Sequence, residues 1–138
     1  MDAIKQIIEK ETSLLIAIGS AEDFGTEENP FTASERYEMI DSAMKEYIKK
    51  CSFTIIPIRD IHDDAKWVAH LERLLPKFGN VYTGSPIVKK LFLKDKKHKV
   101  IGLKKRLNID GTTVREMLRN NTKGSWKKLV PQTTIKLL

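Results

Sequence analysis

The sequence predicts an α/β domain built on a parallel sheet with helices on both faces. Three observations carry that expectation. Short apolar runs alternate with stretches of helical periodicity along the whole length, the pattern of successive strand-helix units joined by right-handed crossovers. The first run, Leu14-Leu-Ile-Ala-Ile18, is continuously apolar, as in a buried parallel strand. A chain of 138 residues is long enough for one well-buried domain and too short for two. Residues 1–138 are therefore expected to form a single domain that ends in short helices from about residue 112.

In chain order, Ile4, Ile7 and Ile8 recur at helical spacing and place a helix over 2–11. The Leu14–Ile18 strand ends at Gly19-Ser20, and a charged loop follows to Pro30. Thr32-Ala-Ser-Glu35 is a capping-box pattern opening a helix with Tyr37, Ile40, Met44, Tyr47 and Ile48 on one face. Phe53–Ile58 reads as a second strand, with Pro57 marking an edge or exit. Trp67–Leu75 is a helix stopped by Pro76, and Val81-Tyr-Thr83 is a third strand. Gly84-Ser85-Pro86 turns into a helix through Phe92, and Val100–Leu103 is a weak fourth strand. Two short helices finish the chain, around Thr112–Arg119 and from Trp126 onward.

Composition narrows the classes. The longest apolar run is far too short to cross a bilayer, and the first residues lack a signal-peptide pattern. The single Cys51 excludes an internal disulfide, offers no metal cluster and suits a reducing cytoplasm. The net charge of +7 is concentrated: residues 89–106 hold nine Lys or Arg and one acid, Asp95. Such a segment either steers nucleic acid or a polyphosphate ligand, or is a solvated face. No aromatic-interleaved basic surface accompanies it, so nucleic-acid binding ranks last among the functions considered.

The most informative stretch is Asn108–Leu118. Asp110 or Gly111 can cap a helix whose first turn holds Thr112 and Thr113, with Arg115 one turn inside. Backbone N–H groups, two hydroxyls and a guanidinium at a helix N-terminus make an anion site. Taken alone, the stretch also fits an ordinary capped amphipathic helix. In parallel sheets ligands bind beyond the carboxyl ends of the strands. Here those ends are Gly19-Ser20-Ala21, Asp60–Trp67, Gly84-Ser85-Pro86 and Asp110–Arg115, expected to line one rim.

Five stretches in register carry a family resemblance: Ile18-Gly-Ser-Ala21, Glu28-Asn-Pro-Phe-Thr-Ala-Ser-Glu-Arg36, Trp67-Val68, Tyr82-Thr-Gly-Ser-Pro86 and Gly111-Thr-Thr-Val-Arg115. Together they resemble the archaeal-type nicotinamide-nucleotide adenylyltransferases over nearly the whole chain. The resemblance implies a Rossmann-like fold, ATP and nicotinamide mononucleotide as substrates, Mg2+ with the ATP, and a cytoplasmic homo-oligomer. It implies that Gly111, Thr112, Thr113 and Arg115 hold the ATP phosphates, with Arg115 catalytic. Trp67 offers a stacking surface for a nicotinamide ring, or is a core tryptophan. Asp64 stands beside it, where the family has an Asn. Asp63 and Asp64 suit helix capping equally well. Gly19, Ser20, Gly84 and Ser85 are expected in loops near the nucleotide, tight turns being the alternative. Arg36 is expected to fix its loop and subunit contacts.

Two further features differ from the family. Asp110 stands where a Ser is usual, putting a negative cap beside phosphates. The family's first strand and phosphate-clamping histidine signature have no counterpart, since His62, His70 and His98 lie in other settings. That first strand is central in a Rossmann-like sheet. Without it, the strands at Leu14 and Val81 are expected to face each other across a gap with unpaired edges. The expectation is a longer natural product; the competing one is a short paralogue that binds nucleotide without transferring it.

Overall fold

The computed structural model describes residues 1–120 and 123–138. Its helices are α1 (Asp2–Ile8), α2 (Ala33–Met44), α3 (Asp64–Leu74), α4 (Pro86–Asp95), α5 (Gly111–Arg119) and α6 (Gln132–Leu137). Its strands are β1 (Ser13–Ile18), β2 (Ser52–Pro57), β3 (Asn80–Tyr82) and β4 (Lys99–Ile101). The expected order of elements is therefore present, within a few residues of the expected bounds except at the end. There Ser125–Lys128 form a 3-10 turn, and the helix expected from Trp126 begins only at Gln132.

Local chemistry explains the boundaries. At α2 the Thr32 hydroxyl accepts the Glu35 N–H at 3.1 Å, and the Glu35 carboxylate accepts the Thr32 N–H at 2.8 Å, a complete capping box. Ser85 caps α4 by accepting the Val88 N–H at 3.3 Å, with Pro86 at the first helical position. Lys96, at φ 61°, ends α4 in the left-handed region. Asp63 occupies the N-cap position of α3 but makes no side-chain capping bond; its carboxylate pairs with Lys66 instead. The α2 face departs from expectation at both ends. Met44 and Tyr47 are buried, whereas Ile48 is 62% exposed and Tyr37 is 40% exposed. The helix tightens to a 3-10 turn at Lys45–Tyr47, which rotates Ile48 off the buried stripe.

The sheet is parallel but divided. β1 pairs with β2 from Ser13↔Ser52 to Ile18↔Pro57, and β3 pairs with β4 from Asn80↔Lys99 to Tyr82↔Ile101. The two pairs are separate two-stranded sheets. Pro57 ends β2, and among the described residues β2 pairs only with β1. The expected gap between β1 and β3 is a cleft of about 710 Å³. Its lining explains why β1 is not the fully covered strand its apolar run predicts. Leu14, Leu15 and Ile16 are only half-buried and Ile18 alone is buried.

The packed core is correspondingly in parts. Ile58, Val68, Leu71 and Phe92 form one buried cluster, with Trp67, Phe78 and Val81 packed against it. On the other half-sheet, Ala43, Met44, Tyr47, Cys51 and Ile55 are buried where α2 meets β2.

One carboxylate crosses the divide. Glu11, just before β1, accepts from Asn80 Nδ2 at 2.7 Å and from the Tyr82 hydroxyl at 2.9 Å, both on β3. The Asn80 bond, then the Tyr82 bond, hold the Glu11 carboxyl below the usual carboxylate range. A depressed pKa stabilises the fold above the unfolded value, and that contribution is lost as pH falls through the folded one. Glu11→Gln is therefore expected to lower the urea midpoint at neutral pH, with the difference from wild type shrinking towards about pH 3. An equal difference at both pH values would contradict the bridge.

Candidate functional site

The N-terminus of α5 is built as a small polar cradle. Asp110 is the N-cap, its Oδ1 accepting the Thr113 N–H at 2.8 Å. Bonds from Thr113, backbone first, lower the Asp110 carboxyl pKa, so the cap stays ionised. Thr113 thus serves the cap through its amide. Arg115 folds back along the helix and donates from Nη2 to Thr112 Oγ1 at 3.2 Å. Its Nη1 lies 2.9 Å from where a Cβ on Gly111 would stand. Gly111, Thr112 and Arg115 therefore form one surface at the positive end of the helix dipole. Gly111, Thr112 and Thr113 are exposed and Arg115 is half-buried, so a ligand can reach all four.

Glycine at 111 is what allows the guanidinium to lie over the helix end. Gly111→Ala would push the Arg115 fork aside while leaving the backbone helical, since only a flexible side-chain end is in the way. On the resemblance's expectation that Arg115 holds the ATP phosphates, the result is an ATP affinity weakened about tenfold, the cost of one misplaced charged hydrogen bond, with unchanged thermal stability. Unchanged ATP affinity in calorimetry would contradict this placement of Arg115.

The loop after β1 is fixed from α2. Arg36 donates from Nη1 to the Gly19 carbonyl at 2.9 Å and from Nη2 to the Ser20 and Asp23 carbonyls at 2.8 and 3.2 Å. Nε donates to the Thr32 carbonyl at 3.4 Å. All of these partners are main-chain carbonyls, so Arg36 holds the loop as the sequence suggests, including Ser20 at φ 47°. Asp60 of the next loop is tied in, its N–H donating to Glu22 at 3.0 Å.

Gly19 and Trp67 both line the cleft between the half-sheets, as does Thr83. Trp67 is half-buried, packed on the core cluster with one flank and on His70 at 5.6 Å between ring centroids. Trp67 therefore packs as a core residue does and also lines the cleft. Asp64 lies one turn earlier, exposed, at the start of α3. Ser85 spends its hydroxyl on the α4 cap, and its own N–H donates to Thr83 Oγ1 at 3.1 Å. Gly84 is exposed in the turn between them. Neither the α5 end nor Ser20, Asp64, Gly84 or Ser85 is among the cleft-lining residues. Of the residues expected on one rim, Gly19 and Trp67 therefore line the cleft, and the α5 cradle is apart from that lining.

The histidines have other partners. His62 pairs with Asp60 at 3.6 Å, and His70 Nε2 lies 3.1 Å from the Arg59 carbonyl oxygen. His98 stacks on Phe78 with centroids 4.4 Å apart and its Nε2 lies 2.9 Å from Glu72. Sequence spacing gave no sign of the grouping in which Glu72, Asp95 and His98 offer ligand atoms within 4.8 Å of one another. Lys97 already pairs with both carboxylates of that group. Sequence reasoning also missed Gln6. It is buried and holds Lys104, accepting its N–H at 3.0 Å and donating to its carbonyl at 2.7 Å. This latch ties the coil that leads to α5 onto α1. Its burial and its distant partner are set by tertiary packing, so the sequence carried no signal for it.

Comparison with known proteins gives consistent results. A family model described as cytidylyltransferase-like matches residues 1–117. A nicotinamide-nucleotide adenylyltransferase of Picrophilus torridus is 38% identical over 141 residues, covering 100% of this chain and 80% of that protein. The protein of the same name from Methanococcus aeolicus is 37% identical over 140 residues, covering 100% and 78%. That from Archaeoglobus fulgidus is 36% identical over 143 residues, covering 99% and 80%.

Proposed function

Because the chain belongs to the nicotinamide-nucleotide adenylyltransferases of the cytidylyltransferase-like family, we propose that the α5 cradle receives the ATP phosphates and that Trp67 faces the mononucleotide. The function is adenylyl transfer from ATP to nicotinamide mononucleotide, giving NAD and pyrophosphate. A phosphate oxygen of the mononucleotide attacks the α-phosphorus in line. The bond from that phosphorus to the pyrophosphate oxygen breaks, and the electron pair leaves on pyrophosphate. Nothing in this exchange needs a covalent enzyme intermediate, so catalysis is positioning and charge stabilisation.

The observation that carries the site assignment is the Arg115 guanidinium held over Gly111 and on Thr112 at a helix N-terminus. A planar fork with several donors suits phosphate oxygens, and the first-turn amides add fixed positive dipole. The ionised Asp110 beside it is unfavourable for a bare phosphate and favourable for a phosphate carrying a cation. A hard divalent ion takes carboxylate and phosphate oxygens together, so Asp110 would be the residue here to hold Mg2+ arriving with ATP. When bound, Mg2+ supplies neutralisation of the phosphate charge.

The domain is proposed to comprise residues 1–138. A cytoplasmic homo-oligomer is the proposed setting; the free, buried Cys51 supports a reducing compartment, and the oligomer rests on the family alone. Among the described residues no helix is long and apolar enough to cross a membrane. Titration calorimetry with ATP and Mg2+ tests the assignment: binding that is lost in Arg115→Ala supports it. ATP binding unchanged by that substitution overturns it.

A further inference from the structure

We infer that Gln6 of α1 is a positioning residue for adenylyl transfer, one that sets where the α5 cradle stands by holding the backbone of Lys104; this rests on reading the cradle as the seat of the ATP phosphates.

The cradle sits on a lightly anchored helix. α5 contributes no buried residue to the core, and Gly111, Thr112 and Thr113 are exposed. At its far end α5 packs against the 3-10 turn Ser125–Lys128, and Arg119 pairs with Glu27 at 2.9 Å. Both of those side chains are exposed, so their pair contributes little. At its near end the helix follows residues 102–110, an irregular stretch that leaves β4 at Ile101. Left free, such a stretch has many conformations, and each would place Gly111 and Arg115 differently.

Gln6 removes much of that freedom. Its Oε1 accepts the Lys104 N–H at 3.0 Å and its Nε2 donates to the Lys104 carbonyl at 2.7 Å. One side-chain amide thus grips one residue's backbone at two points, which fixes direction as well as place. Nε2 also donates to Asp2 Oδ2 at 3.0 Å. An ionised carboxylate only accepts, so the amide cannot turn over without setting its oxygen against Asp2. The other oxygen of Asp2 lies 3.9 Å from Arg106 Nη1, a second tie to the same stretch. Gln6 is buried, and its hydrogen bonds are correspondingly shielded from water. The grip falls six residues before the Asp110 cap, close enough to orient the first turn of α5.

The test is Gln6→Met, which keeps length and helix propensity and removes all three bonds. Lys104 is exposed, so water can take its freed backbone groups and the chain should stay folded. In the unliganded variant, amide hydrogen exchange at residues 113–115 is expected to be about tenfold faster, with β1 and β2 unchanged. In calorimetry its ATP affinity should fall about tenfold while mononucleotide affinity is kept, since a small misplacement of a binding group is costly. Gln6→Glu keeps the acceptor and loses the donor, so it should fall between; it also serves if the Met variant folds poorly. In an Arg115→Ala background, Gln6→Met should cost less than it does alone. Equal loss for both substrates in step with a lower unfolding midpoint would overturn the inference, as would full additivity with Arg115→Ala. If Arg115→Ala weakens ATP binding and neither Gln6 variant does, the cradle reading stands and the role of Gln6 falls. If Arg115→Ala leaves ATP binding unchanged, the cradle reading fails and takes this role with it.

Discussion

Arg115→Ala is expected to lower the rate of adenylyl transfer about 10²–10³-fold, the usual cost of removing one charge-stabilising donor from a transition state. The argument is local. Arg115 is half-buried, and its guanidinium donates to Thr112 within its own helix. Losing that bond costs the fold little, because α5 contributes no buried residue to the core. The unfolding midpoint should therefore stay near that of wild type while turnover collapses. Arg115→Lys separates charge from geometry. A point charge replaces a fork, so it should recover only part of the loss. A variant that turns over normally would remove Arg115 from the mechanism.

Trp67→Ala should act on the other substrate. Stacking of a base on an aromatic ring contributes about 1–3 kcal/mol, so KM for the mononucleotide should rise roughly tenfold or more while KM for ATP is unchanged. The same substitution must also cost stability, because Trp67 packs against the Ile58–Phe92 cluster. Trp67→Phe resolves the overlap by keeping an aromatic face with less volume, and it should restore most of the mononucleotide KM. Equal loss for both substrates, tracking the fall in stability, would leave Trp67 as a core residue only.

The α/β order was legible because its signals are local. Capping at Thr32, Ser85 and Asp110, the stops at Gly19 and Pro76, and the apolar runs each depend on a few neighbours in sequence. The cradle on α5 was legible for the same reason, since Gly111, Thr112 and Arg115 lie within one turn and a half of helix. Long-range polar ties were not. Glu11 finds Asn80 and Tyr82 about seventy residues away, and Gln6 finds Lys104 at a separation of 98. No periodicity encodes such pairs. The surface of α2 misled at Ile48 because the helix changes from α to 3-10 geometry at Lys45–Tyr47, which the apolar spacing does not encode. The grouping of Glu72, Asp95 and His98 likewise depends on how α3, α4 and β4 meet.

The central claim is that this chain makes NAD from ATP and nicotinamide mononucleotide, with Arg115 at the phosphates. The most direct measurement is NAD formed by the purified chain with Mg2+, ATP and the mononucleotide, read beside pyrophosphate release. The expected result is equal amounts of both products, dependent on both substrates and lost in Arg115→Ala. ATP binding with neither product formed would contradict it, and would make the chain a nucleotide-binding module without transfer.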